Sequence, residues 1–105
     1  MSTIPPLPTV HLENDFASLT NAVIFFHKAL CPHCKNMEKV LAKFSAKVSA
    51  VELFSIDSEV NSEIMEKLAL ERVPTLVFIR NGSVATVHSG LMNPRELKAL
   101  YEKLP

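Results

Sequence analysis

Residues 21–38 read NAVIFFHKALCPHCKNME, and they contain both of the chain's 2 cysteines. The run Asn21–Phe26 is continuously apolar yet too short for a buried helix, which predicts a strand covered on both faces. Beyond the cysteines, Met37, Val40, Leu41, Phe44 and Val48 recur at helical spacing. That periodicity predicts a helix of about four turns, from Pro32 or His33 to Val48. Pro32 suits its first turn, where a missing N–H costs nothing. Cys31 and Cys34 therefore fall where a buried strand hands over to the N-terminus of a helix.

Unpaired N–H groups and the positive end of the helix dipole meet at such a junction, and both favour an anion. A thiolate at Cys31 is such an anion, so its nucleophilic form is expected near neutral pH. Cys34 lies nearly one turn further in, on the same helix face. It is expected to be the more buried of the two and able to close on the Cys31 sulfur. An outer attacking and an inner resolving cysteine are what dithiol exchange requires. A bridge closing so short a loop removes little chain entropy, which makes stability a poor reason for the pair. Metal binding is the main rival, but zinc wants four ligands, usually in two close pairs. Here there is one pair, and His11, His27 and His88 stand singly. Haem attachment needs His directly after the second cysteine, where Lys35 stands. Inert burial remains the third alternative.

Outward from this centre the pattern continues. Thr9–Leu12 reads as a short extended piece and Asn14–Thr20 as a short helix, capped by Asn14 or Asp15. Val51–Ile56 is a second apolar strand, and Ile64, Met65 and Leu68 mark a helix face within Asn61–Glu71. The run PTLVFIR, Pro74 to Arg80, and the run SVATVHS flank Asn81-Gly82, the pair favoured in a type I′ hairpin turn. Asn93, Pro94 and Glu96 write a capping box for a last helix with a stripe of Leu97, Leu100, Tyr101 and Leu104. The order is β-α-β-α-β-α-β-β-α, which implies one mixed sheet with helices on both faces.

The bounds agree with one folded domain. The chain has 105 residues, 48% hydrophobic and 21% charged, long enough to bury its own core. Its 11 basic residues equal its 11 acidic ones, so no global field attracts nucleic acid or a membrane surface. The start, MSTIPPLPTVHLENDF, has neither a basic opening nor a long apolar run, and a cytoplasmic location is expected.

Taken together, these features make the chain resemble a thioredoxin over nearly its whole length. Val73-Pro74-Thr75 follows far beyond the cysteine pair and leads into a strand, and Gly82 and Gly90 fall where that family has its hairpin turn and the break before its last helix. Glutaredoxins also carry a cysteine pair and a Val-Pro, but this chain has the longer thioredoxin N-terminus and lacks their second glycine and acidic pair near Gly90. The resemblance implies a thioredoxin fold: a mixed sheet of about five strands flanked by about four helices. It implies that Pro74 is cis and faces the dithiol, and that the Val73 backbone pairs with an extended substrate segment. Leu30 and Gly90 would border the same substrate-binding face, with Met92 beside them.

Three departures from the family matter. The usual Gly-Pro between the cysteines is replaced by Pro32-His33, the pair of the periplasmic disulfide oxidases. A His33 near the Cys31 sulfur stabilises the thiolate, hence the reduced form, and makes the disulfide more oxidising. The family's buried aspartate and its lysine partner fall at Phe25 and Leu53, both apolar. Losing both together is coherent, since either charge alone would be stranded; water, His27 or His33 would then have to take the proton of Cys34. Leu30 replaces a tryptophan, and His27 an aromatic. Lys35, Lys39, Lys43 and Lys47 form an exposed stripe, read as a solvated face, and Met37 and Met65 as core fillers.

The expected function is thiol–disulfide exchange with protein disulfides and dithiols, Cys31 attacking and Cys34 resolving. The expected direction is reductive, with a thioredoxin reductase as a candidate electron source. No bound metal or cofactor, no nucleic acid and no membrane are expected, and the chain is expected to act as a monomer. A disulfide donor or isomerase is the nearest rival. A peptide-binding module with cysteines that do not turn over is the rival from another class.

Overall fold

The computed structural model describes residues 19–48, 51–59 and 62–104. Strand β1 (Asn21–His27) leads through a short turn into helix α1 (Pro32–Lys47), then β2 (Glu52–Asp57) and α2 (Ser62–Lys67). The hairpin β3 (Thr75–Arg80) and β4 (Ser83–Ser89) is followed by α3 (Pro94–Glu102). The described residues thus hold 4 strands and 3 helices where about five and about four were expected. The expected strand Thr9–Leu12 lies outside the described residues. So does most of the expected helix Asn14–Thr20; its last two positions, Leu19 and Thr20, are described and not helical.

The sheet runs in the order β2-β1-β3-β4. β1 pairs in parallel with β2, as a helical crossover requires, and antiparallel with β3, which pairs antiparallel with β4. Alternation along β1 and β3 separates two cores. Val23, Phe25, Leu76 and Phe78 face Met37, Leu41 and Phe44 of α1 and Leu97 of α3. Ala22, Ile24, Phe26, Val77 and Ile79 face the other way, toward Ile64 of α2. Both strands are continuously apolar because both their faces are covered. Met37 is fully buried and Met65 packs against the second core.

The local signals hold at the turns. Asn81 and Gly82 both adopt positive φ (52° and 77°), the type I′ conformation that matches the strands' twist. The register then slips between Phe78 and Ile79, which face Thr86 and Val84 and leave Ala85 as an extra residue, a β-bulge. At α3 the capping box is complete, with Asn93 accepting from the Glu96 amide at 2.8 Å. Helix α2 occupies only part of its predicted window. It stops because Ala69 turns left-handed (φ 57°), the Leu70 amide donates to the Met65 carbonyl and the Ala69 amide to the Glu66 carbonyl. That is a Schellman motif with alanine where glycine is usual.

Helices α1 and α3 share the sheet face that carries the cysteines. They are joined through Tyr101, whose ring meets Phe44 edge-on at 5.4 Å and whose hydroxyl accepts from the Asn21 side chain at 2.6 Å. This clamp ties the C-terminal end of α1 to the start of β1. No helix among the described residues is long and apolar enough to cross a membrane.

Candidate active site

The chain leaves β1 through Ala29 and Leu30. Leu30 is left-handed (φ 56°) and its side chain is 96% exposed, the most exposed large apolar residue among those described. That reversal sets Cys31 in extended conformation as the N-cap of α1, with Pro32 in the first turn. Cys31 and Cys34 are joined by a disulfide, their Cα atoms 5.2 Å apart. The Cys34 amide donates to the Cys31 sulfur at 3.2 Å, and the Lys35 amide donates to the Cys31 carbonyl at 3.2 Å. The sulfur therefore takes the place of the oxygen that usually caps a helix N-terminus. No acidic residue stands in the first turn of α1 to oppose a negative charge there.

The expected difference in burial between the cysteines is small in this oxidised form. Cys31 is 7% exposed and Cys34 5%, because the bond draws both sulfurs under the same cover. What distinguishes them is position on the helix: Cys31 receives the N–H, and Cys34 supplies it. Pro32 and His33 are exposed, and His33 makes no hydrogen bond to another described residue in this form.

A second segment meets this centre from β3. The Val73–Pro74 peptide bond is cis and Pro74 is buried. The Gly90 amide donates to the Pro74 carbonyl at 2.9 Å, binding the segment after β4 to the proline. Thr75, fully buried, donates its hydroxyl to the Arg72 carbonyl at 2.6 Å and meets the Ser89 hydroxyl at 3.1 Å. Val73 and Met92 pack against the cluster that contains both cysteines. Gly90 has φ +95°, which excludes most side chains, although nothing lies within 4 Å of the position a Cβ would occupy. The structure thus brings Cys31, Cys34, Val73, Pro74 and Gly90 to one end of the sheet, while Leu30 and His33 project from it.

Phe25 lies buried in the cluster that holds both cysteines, and Leu53 packs against it. No charge is left unpaired at either position, as their joint apolar character requires. Beside the disulfide a cleft of about 310 Å³ is lined by Cys31, Cys34, His27, Glu38 and Asp57, together with Lys28 and Lys35. No sequence motif marks Glu38 or Asp57 as part of the site. Glu38 stands one helical turn beyond Cys34, a spacing legible along the chain; Asp57 arrives only through its pairing with His27 across the sheet. Among the described residues, no group of three or more His, Cys, Asp or Glu is arranged to hold a metal ion.

Residues 9–103 match the Thioredoxin family model. The chain belongs to the thioredoxin family. Its fold resembles the solution structure of desulfothioredoxin from Desulfovibrio vulgaris Hildenborough in its reduced form, at 57% identity over 97% of this chain and 98% of that one, with a TM-score of 0.85. The mitochondrial thioredoxin of Mus musculus is 30% identical over 83% of this chain and 53% of its own length. A protein disulfide-isomerase of Drosophila melanogaster is 28% identical over 86% of this chain and 18% of its own. The chain thus spans about half or less of the length of these two relatives. It is a thioredoxin domain that carries a closed Cys31–Cys34 pair at the N-terminus of α1.

Proposed function

We propose that this protein exchanges disulfides with protein substrates through Cys31 as nucleophile and Cys34 as resolving group. The observation that carries this reading is the Cys34 amide aimed at the Cys31 sulfur at the N-terminus of α1. In the reductive direction, the Cys31 thiolate attacks a substrate disulfide and one substrate sulfur leaves as a thiolate. Cys34, once deprotonated, attacks Cys31; the Cys31–Cys34 bond forms and the second substrate sulfur is released. Two electrons pass to the substrate, and an external dithiol protein, a thioredoxin reductase in the simplest arrangement, restores the pair. Val73 offers its backbone to an extended substrate strand beside Pro74, and Leu30 with Gly90 forms the rim against which that strand lies. The protein acts on its substrates as a monomer, and in a reducing cytoplasm it rests as the dithiol.

A second direction is favoured by Pro32-His33. An exposed imidazole next to a helix-capping sulfur stabilises the thiolate whenever it carries a proton, which raises the potential of the pair. At a sufficiently raised potential the disulfide would oxidise substrate dithiols instead, or rearrange wrong disulfides. Equilibration of the Cys31–Cys34 couple against glutathione buffers separates the two. A potential near that of ordinary thioredoxins, about −270 mV, assigns the reductive role. A value tens of millivolts higher, about −200 mV or above, assigns the oxidising or isomerising one. Absence of a reversible two-electron transition would sink both.

A further inference from the structure

Given the exchange chemistry proposed above, on which this inference rests, Cys34 must lose a proton before it can attack the mixed disulfide. It does so at 5% exposure, packed in a cluster with Phe25 and Met37, where bulk water has little access. Position 25 itself offers no proton acceptor. A cleft opens beside the disulfide, and Cys34 lines it together with His27, Glu38 and Asp57.

The fold sets these groups there for identifiable reasons. Residues 25 and 27 lie two apart on β1, so Phe25 and His27 share the sheet face toward α1. Their rings stack at 5.3 Å with 28° between planes, which fixes the imidazole at the strand's end. Parallel pairing sets Asp57 directly beside His27, and the His27 carbonyl accepts from the Ser58 amide at 2.7 Å. Glu38 and Lys35 face the cleft from α1, and Lys28 from the turn after β1. Neutral imidazole is the side chain that takes up a proton near neutral pH; carboxylates are weaker bases there, and an ammonium has no lone pair. His33 does not line the cleft.

We propose that His27 is the proton acceptor for Cys34 when the mixed disulfide is resolved, with cleft water carrying the proton between them. The Cys34 S–H bond breaks and its proton passes to the imidazole. The Cys34–Cys31 sulfur bond forms, the bond from Cys31 to the substrate sulfur breaks, and the substrate leaves as a thiolate. Asp57 stands beside the imidazolium that results and stabilises it.

The test uses the full reduced chain and an aromatic disulfide that releases a coloured thiolate at each step. The first release reports attack by Cys31, the second resolution by Cys34. His27→Phe keeps the stack on Phe25 and removes the acceptor. The first release should stay within about twofold, while the second slows by about tenfold or more near neutral pH. The near-neutral inflection in the second step's pH profile should vanish, and added imidazole should restore part of its rate. If His27→Phe also loses the first release, His27→Asn is read in its place. An unchanged second step with an unchanged pH profile would overturn the proposal. So would an inflection that survives in the His27 variants but disappears in Glu38→Gln or Asp57→Asn. Failure of the wild-type protein to give any second release would instead overturn the exchange role of Cys34.

Discussion

The backbone amide of Cys34 donates to the Cys31 sulfur across 3.2 Å, so the residue proposed to resolve the mixed disulfide also prepares the one proposed to attack. A thiolate accepts such a bond more strongly than a thiol, and the helix dipole acts in the same direction. Reduced Cys31 should therefore alkylate with iodoacetamide at a pH well below the ordinary thiol range around 8.5. Measured against pH, a rate that follows free cysteine would remove this preparation from the mechanism.

His33 sets an exposed imidazole in the first turn of α1, and it can be removed. Replacing Pro32-His33 by Gly-Pro should make the couple more reducing by tens of millivolts, at about 30 mV for each 1.4 kcal/mol of lost thiolate preference. His33→Ala alone should produce part of the shift, and the effect should shrink at high salt because the site is exposed. A potential that does not move in glutathione equilibration would make His33 a bystander.

Phe25 offers a sharp test of the apolar site beneath the cysteines, where it is 2% exposed. Phe25→Asp removes a packed ring and buries a carboxyl, which should cost about 4 kcal/mol or more. Burial raises the folded-state pKa of that new carboxyl above its unfolded value. The variant should therefore be least destabilised at low pH and lose stability as pH rises through the carboxylate range. Adding Leu53→Lys should recover part of the loss at neutral pH. Urea melts at several pH values decide it; a flat pH dependence would show that the carboxyl escapes to solvent.

Ala69 ends α2 in the left-handed region, where an L side chain carries a penalty that glycine lacks. Ala69→Gly should raise stability by about 0.5–1 kcal/mol, a few degrees in Tm, with exchange activity unchanged. A lower Tm would mean that the helix-favouring character of alanine outweighs the strain.

Much of this arrangement is legible along the chain because it is written in short-range signals. The apolar run of β1, the periodicity of α1, Asn81-Gly82 and the Asn93 capping box each act within a few residues, and each forms where the pattern places it. The β-bulge opposite Phe78 and the early stop of α2 carry no such signal. Ala85 reads as an ordinary strand residue, and Ala69 belongs to the best helix former of all. Their conformations are imposed by the strands and core around them.

The same division runs through the site. Spacing and the helix N-terminus are local properties, and they suffice to place a pair of cysteines at a strand-to-helix junction. What faces that pair depends on tertiary packing. Gly90 is bound to Pro74 through a bond between segments remote in sequence, and Asp57 stands beside His27 because β1 and β2 pair in one register. Sheet register and the closing of a cleft depend on how whole elements pack, and a linear pattern fixes neither.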